Sequence, residues 1–309
     1  MCYYLNITFI IFDFYLGHKN PMKNPENSFI IFLHIQKTGG ITIQRIFRRK
    51  LGKPLFRRAL ELRYNQEKPL SLIDSFKEKN TKDRYAIGHF CYGAHKFLPT
   101  PASYMTFLRE PVSRIVSLYH YSKENPTAYY HKQAAGKSLE EFALKTPLME
   151  LDNGQTRFLA GDENDLFINR TPVGKCNSQL LHIAKNHIKS DFSFIGITEQ
   201  FDESVLLLKK LLNWSNCFYL RRNTRKKSFS EPISSDLRNE IARRNWLDIE
   251  LYDYSKELLL QKLDEFQINS YEVKKFKDEN LIFNRYFNPI YDSYDWLKSI
   301  LRGQIGRPS

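Results

Sequence analysis

Along the chain, short unbroken apolar runs alternate with segments whose apolar residues recur every three or four positions. The first run is Phe29-Ile30-Ile31-Phe32-Leu33, preceded by a polar stretch holding Pro21 and Pro25. Its length and β-branched content predict a strand buried on both faces, as in a parallel sheet. Past His34-Ile35-Gln36-Lys37-Thr38-Gly39-Gly40, the spacing of Ile41, Ile43, Ile46 and Phe47 predicts a helix. Tyr85–His89 and Tyr104–Leu108 predict a second and a third short strand. Pro111 favours a helix start, and Val112, Ile115, Val116 and Tyr119 then recur at helical spacing. Ser138 and Glu141 have the spacing of a capping box. Helices are expected near 177–189, 201–212, 234–245 and 248–266. Phe192–Ile197 predicts a fourth strand and Cys217–Leu220 a fifth. Residues 61–82 read as irregular apart from a short helix near 70–78. Residues 123–137 read as a loop, and 152–176 as a turn-rich insertion. This alternation predicts an α/β fold with a central, mainly parallel sheet flanked by helices. Residues 1–27 form an extension, 28–266 the domain, and 267–309 a tail whose pattern assigns it no role.

Composition narrows the class. Of 309 residues, 42% are apolar and 26% charged, which excludes a collagen-like, disulfide-scaffold or wholly disordered chain. The net charge of +13 predicts an anionic partner without choosing among nucleic acid, membrane, phosphorylated cofactor and acidic glycan. Cys2, Cys91, Cys176 and Cys217 form no CxxC pair and no zinc-finger spacing, so a reducing compartment is the simpler expectation. The apolar segment Tyr3–Leu16 is interrupted by Asp13 and lacks a basic leader. It is short for a membrane span of roughly 20 residues. The expectation is a cytoplasmic protein, with a Golgi membrane location as the alternative if residues 3–16 anchor the chain. Asn6, Asn169 and Asn213 each open an N-x-[ST] sequon.

Two constellations carry chemistry. In the loop Gln36–Thr42, a strand feeds a glycine turn and a helix N-terminus, which gathers backbone N–H groups and positive dipole potential. Lys37 adds a charge, Thr38 and Thr42 add hydroxyls, and Gly39, Gly40 and Ile41 complete a cradle suited to a phosphate. No Walker A pattern GxxxxGK[ST] is present. The second constellation is Arg109 at a strand end with Ser117 two turns into the next helix, a bidentate phosphate grip with an added hydroxyl. Arg114 either joins this site or pairs with Glu110, and the latter is the expectation.

Together these elements resemble the carbohydrate sulfotransferases, especially the heparan sulfate 2-O- and 6-O-sulfotransferase-like family and its bacterial relatives. HIQKTGG resembles that family's 5′-phosphosulfate loop for 3′-phosphoadenosine 5′-phosphosulfate (PAPS). LREPVSRIVSLY resembles its 3′-phosphate motif, and GHF at 88–90 stands where the family carries its catalytic His. LDNGQTRFLAG at 151–161 and FIGITEQFDES at 194–204 are also similar to family segments. The resemblance implies a P-loop-like three-layer fold and transfer of a sulfuryl group from PAPS to a saccharide or polysaccharide hydroxyl, leaving PAP. It implies His89 as general base and Lys37 stabilising charge on the leaving phosphate. Lys37, Thr38, Gly39, Gly40, Ile41, Thr42, Arg109 and Ser117 would hold the nucleotide. The scheme requires no metal, and no nucleic acid partner is expected. The chain departs from the family at Ile41, where a small or hydroxylated residue is common.

A His suits the base role because its unperturbed pKa is about 6.5. His34 and His95 are auxiliary candidates, with His34 expected to orient the loop. Arg157 is expected either at the site or in an ordinary salt bridge. Arg221, Arg222 and Lys226 are weaker nucleotide-binding candidates. The competing readings are a nucleotide-dependent kinase, for which no acidic residue follows a hydrophobic strand as a Mg²⁺ ligand, and a non-catalytic polyanion-binding protein.

Overall fold

The computed structural model describes residues 28–51, 85–98, 101–163, 166–220 and 233–285. Four strands, β1 (Phe29–Leu33), β2 (Tyr85–Gly88), β3 (Ala102–Leu108) and β4 (Phe192–Ile197), form a sheet in the order β2-β1-β3-β4. All three pairings are parallel, with Leu33 opposite Gly88 on one side and Thr106 on the other. Ile31, Phe32, Leu33, Tyr104, Met105 and Phe107 are completely buried. Strands covered on both faces select continuous apolar runs, which is why these were visible in the sequence.

The helices are α1 (Gly40–Leu51), α2 (Pro111–Glu124), the single turn α3 (His131–Ala134) and α4 (Leu139–Lys145), followed by α5 (Gly154–Ala160) and α6 (Ser178–Asp191). After β4 come α7 (Phe201–Leu211), α8 (Ser235–Arg244) and α9 (Trp246–Glu265), and a helix α10 over 270–285. α7 and α9 pack on β4, α6 on β3 and β4, and α5 on α6. A second apolar cluster joins α2, α3, α4 and α8 through Val112, Ile115, Leu118, Phe142 and Ile241. Ser138 and Glu141 close both bonds of the expected capping box at α4.

Two expectations are corrected. Residues 152–176 are not simply a turn-rich insertion. Their first part forms α5, every residue of which is buried. Cys217–Leu220 belongs to no strand of the sheet. Its backbone bonds side chains instead, Arg49 of α1 at Phe218 O and two residues of α10 at Tyr219. Tyr219 N donates to Asn280 Oδ1 at 2.8 Å, and Tyr219 O accepts from Asn284 Nδ2 at 2.8 Å. The helix expected near 70–78 and the candidates Arg221, Arg222 and Lys226 lie outside the described residues.

Candidate functional site

The chain leaves β1 for β2 on one side of the sheet and leaves β3 for β4 on the other. The reversal falls between β1 and β3, and open α/β sheets bind ligands beyond the carboxyl ends of strands at such a point. The loop after β1, His89 after β2 and Arg109 after β3 all emerge on that edge.

The loop after β1 owes its shape to local constraints. Lys37 and Gly39 both take positive φ, 69° and 83°. Gly39 pays no steric penalty there, and Phe201 packs so close that a Cβ would lie 2.9 Å from its ring. The buried Thr38 hydroxyl donates to Ile35 O at 2.9 Å. Gln36 donates to the buried Glu150 at 3.3 Å. The hydroxyl of Thr198 lies 3.1 Å from Thr38 O and 2.9 Å from Leu108 O, linking this loop to the end of β3. The loop delivers the N-terminus of α1, where Thr42 N and Ile43 N donate to Gly39 O at 3.0 and 3.4 Å and the N–H groups ahead of them have no acceptor within the helix. Ile41 is 48% exposed.

Arg109 reaches this loop directly, its Nη1 donating to Lys37 O at 3.1 Å. Its own backbone is held by the amide of Gln155, which accepts from Arg109 N at 2.9 Å and donates to Arg109 O at 2.8 Å. Glu199 Oε1 lies 3.9 Å from Arg109 Nε and accepts from Glu110 N at 3.2 Å. The other Glu199 oxygen accepts from Tyr252 at 3.0 Å. Ser117 is half-buried in the second turn of α2. The ammonium of Lys37 lies 4.0 Å from the centre of the Tyr121 ring.

His89 Nδ1 lies 2.6 Å from His34 O. A carbonyl only accepts, so Nδ1 carries the hydrogen and the neutral ring keeps its lone pair on Nε2. The His34 and His89 rings stack at 4.2 Å with 28° between their planes. Burial first, then the charges of His89 and Lys37, hold the His34 pKa well below its ordinary 6.5.

Other candidates go elsewhere. Arg114 does not pair with the Glu110 carboxylate as expected. It is fully buried, donates to Glu150 O at 2.6 Å and lies 3.9 Å from Asp248. Glu110 instead caps α2, accepting from Val112 N and Ser113 N. Arg157 is also fully buried, in a 2.5 Å ion pair with Asp152, and it donates to the carbonyls of Asn169 and Thr171. It organises a loop rather than a ligand site. His95 bonds the Tyr104 hydroxyl at 2.9 Å. No sequence pattern marks Gln155, Glu199, Thr198 or Tyr252. Gln155 lies two residues before Arg157 in the QTRF segment, and an uncharged amide carries no signal of its own.

The galactose-3-O-sulfotransferase family model matches residues 13–281. Heparan-sulfate 6-O-sulfotransferase 2 of Gallus gallus is 28% identical over an alignment of 279 positions, covering 75% of this chain and 67% of the relative. The Homo sapiens enzyme of the same name is 27% identical, with 75% of this chain and 45% of the relative covered. Heparan-sulfate 6-O-sulfotransferase 1 of Homo sapiens is 27% identical, with 75% and 66% covered. The chain therefore spans about half to two thirds of the length of these relatives. The expectation of a cytoplasmic protein is corrected here, because the matches to heparan-sulfate 6-O-sulfotransferases point away from the cytoplasm. The short, interrupted apolar segment on which that expectation rested lies outside the described residues. Among the described residues, no helix is long and apolar enough to cross a membrane.

Proposed function

The chain belongs to the galactose-3-O-sulfotransferase family, and from that premise we propose that it transfers a sulfuryl group from PAPS to a saccharide hydroxyl, with His89 as general base. One observation carries the reading. Residues following three adjacent parallel strands converge, with His89 bonded to His34 O at 2.6 Å and Arg109 bonded to Lys37 O at 3.1 Å. The relatives named for heparan sulfate support a saccharide acceptor.

The residues present fit the nucleotide. Gly39 and Gly40 let Phe201 and the His34 ring pack against the loop where a Cβ would clash, and the start of α1 offers N–H groups and positive potential to a phosphate. Lys37, Thr38, Gly39, Gly40, Ile41 and Thr42 would hold the 5′ side, and Arg109 with Ser117 the 3′-phosphate. PAPS bound there supplies the activated sulfuryl group. His89 Nε2 takes the proton of the acceptor hydroxyl as its oxygen becomes a nucleophile. Lys37 supplies positive charge where negative charge develops, an electrostatic contribution that needs no reorganisation during the reaction. The kinase and polyanion-binding alternatives are not favoured by any geometric observation, and family membership argues against both.

The test is incorporation of labelled sulfate from PAPS into a panel of glycans that includes heparan sulfate. Label on at least one saccharide is expected. No transfer to any member, with donor binding intact, would overturn the reading. Donor recognition is checked separately by thermal shift. At 100 times its dissociation constant PAP should add about 2.7 kcal/mol. Equal stabilisation by PAP and 5′-AMP would count against Arg109 and Ser117 as the 3′-phosphate site.

A further inference from the structure

We infer that His34 is a positioning residue for His89, its ring clamped between the base and the glycine-bare start of α1. The inference rests on the reading of His89 as the base. Three observations converge on it. First, His34 N donates to Gly88 O at 2.9 Å, so the β1–β2 ladder continues one residue past the strand and fixes the His34 carbonyl beside His89. That carbonyl, 2.6 Å from Nδ1, sets the tautomer that leaves Nε2 able to accept a proton.

Second, the two imidazoles stack at 4.2 Å, so the His34 ring covers one face of His89 and limits its rotation. Third, the His34 ring is backed by Gly40. A Cβ added there would lie 1.9 Å from His34 Cδ2 and 2.0 Å from Nε2, far inside van der Waals contact with the imidazole. The ring occupies the volume that any other residue at position 40 would claim. Gly40 is thus needed to seat this ring. A neutral His34 suits the arrangement, since a second cation stacked on His89 would oppose the imidazolium that forms when the base takes its proton. Burial and Lys37 hold it neutral.

A residue that merely fills space would affect stability and leave turnover per folded molecule unchanged. A positioning residue affects kcat, because small misplacement of a reacting group is costly. Steady-state sulfate transfer and PAP binding are measured for His34→Ala, His34→Phe, Gly40→Ala and the double variant His34→Ala/Gly40→Ala. His34→Ala is expected to lower kcat by about tenfold or more while PAP affinity changes less than threefold. His34→Phe keeps a flat ring in the slot and should recover most of kcat, with the rising limb of the pH–rate profile where it is in the parent. Gly40→Ala evicts the ring and should also lower kcat. In the His34→Ala background it should cost little more, because there is no ring left to evict.

His34→Ala with kcat within twofold of the parent overturns the proposal, as do independent, multiplying effects of the two substitutions. Should His34→Ala fail to fold, Gly40→Ala decides the question: kcat lowered by about tenfold with PAP affinity changed less than threefold supports the proposal, and kcat within twofold of the parent overturns it. His89→Ala is run alongside. Normal turnover in that variant sinks the general-base reading itself. Its inactivity beside a fully active His34→Ala sinks only the positioning role.

Discussion

At the scale of single residues, the proposed mechanism depends on which nitrogen of His89 is left to accept a proton. His89→Ala removes that acceptor and should lower kcat by about 10² to 10⁴, while PAP affinity changes less than tenfold, as read by isothermal titration. In the same proposal Arg109 and Lys37 hold the nucleotide through a different part of the edge, which is why the two measurements should separate. His34 gives a prediction independent of turnover. Its folded pKa lies below the ordinary 6.5, so between those values the unfolded chain binds a proton that the folded chain refuses. Stability therefore falls as pH drops through 6.5 and recovers above it. The parent should lose more thermal stability than His34→Phe between pH 7.5 and pH 5, and parallel melting curves across that range would contradict the assignment. His187, whose pKa is also lowered by burial, is present in both proteins and cancels. The identities of Lys37, His89 and Arg109 were legible in the sequence because charge and ring chemistry are carried by residue type. The role of Gln155 was not, because an amide gains its meaning only from the two backbone atoms of Arg109 that it meets.

At the scale of elements, the starts of α5 and α9 cap each other. Asp248 in the first turn of α9 accepts from Gln155 N at 3.1 Å and Thr156 N at 2.7 Å. Asn153, just before α5, accepts from Leu247 N at 3.0 Å and Asp248 N at 3.3 Å. Asn153 also sits in the left-handed region at φ 53°, where Asn is tolerated better than most residues. Asn153→Ala loses a cap and gains a strained backbone, so it should cost about 2 kcal/mol in urea unfolding. An unchanged midpoint would show that the reciprocal caps carry no stability. The Asp248 carboxylate bonded here also faces buried Arg114, whose guanidinium offsets part of the cost of burying it. On α8, the pKa of Glu240 is depressed to about 2 by Arg243 and Arg244. Because the folded value lies below the ordinary 4.5, its contribution is present above pH 4.5 and fades as pH falls toward 2. The melting gap between the parent and Glu240→Gln should be small at neutral pH and close on acidification. Capping signals such as Ser138 and Glu141 are local and could be read from spacing. The caps on α5 and α9 join residues more than 90 positions apart and could not.

At the scale of the whole molecule, residues after 266 are bound into the core. Val273 and Phe276 are buried with the main cluster, and Lys210 and Lys277 tie α10 to α7 through Glu272 and Glu203. Asn280 and Asn284 satisfy the backbone of Tyr219, whose side chain donates to buried Asp202 at 2.6 Å. Ending the chain after residue 268 exposes that apolar surface and leaves these backbone groups without their partners. A lower melting temperature and a shallower unfolding transition are expected, and native-like melting would show that α10 is dispensable. Asn213 is exposed, whereas the Asn169 amide donates to Gly161 O at 2.6 Å. Expressed in a secretory host, the protein should gain glycan at Asn213 rather than Asn169, checked by mass before and after glycosidase treatment of the parent and of Asn213→Gln.

The sequence by itself determined the strands, most of the helices and the residue types of the site. Those properties follow from patterns a few residues long: apolar runs for buried strands, three-to-four spacing for helices, and glycine with Lys where a helix N-terminus meets an anion. Strand order was decided only by tertiary structure. So was the opposite departure of the chain from β1 and β3 that creates the crevice, and the assignment of Cys217–Leu220 to side-chain partners instead of a sheet neighbour. So too was the fate of Arg114 and Arg157, which resemble anion-binding residues in one dimension and are buried ion-pair partners in three. The physical reason is common to all of these. A charge, a carbonyl or a ring acts through what lies within a few ångströms of it, and His34 and His89 meet only because the sheet sets the ends of β1 and β2 side by side.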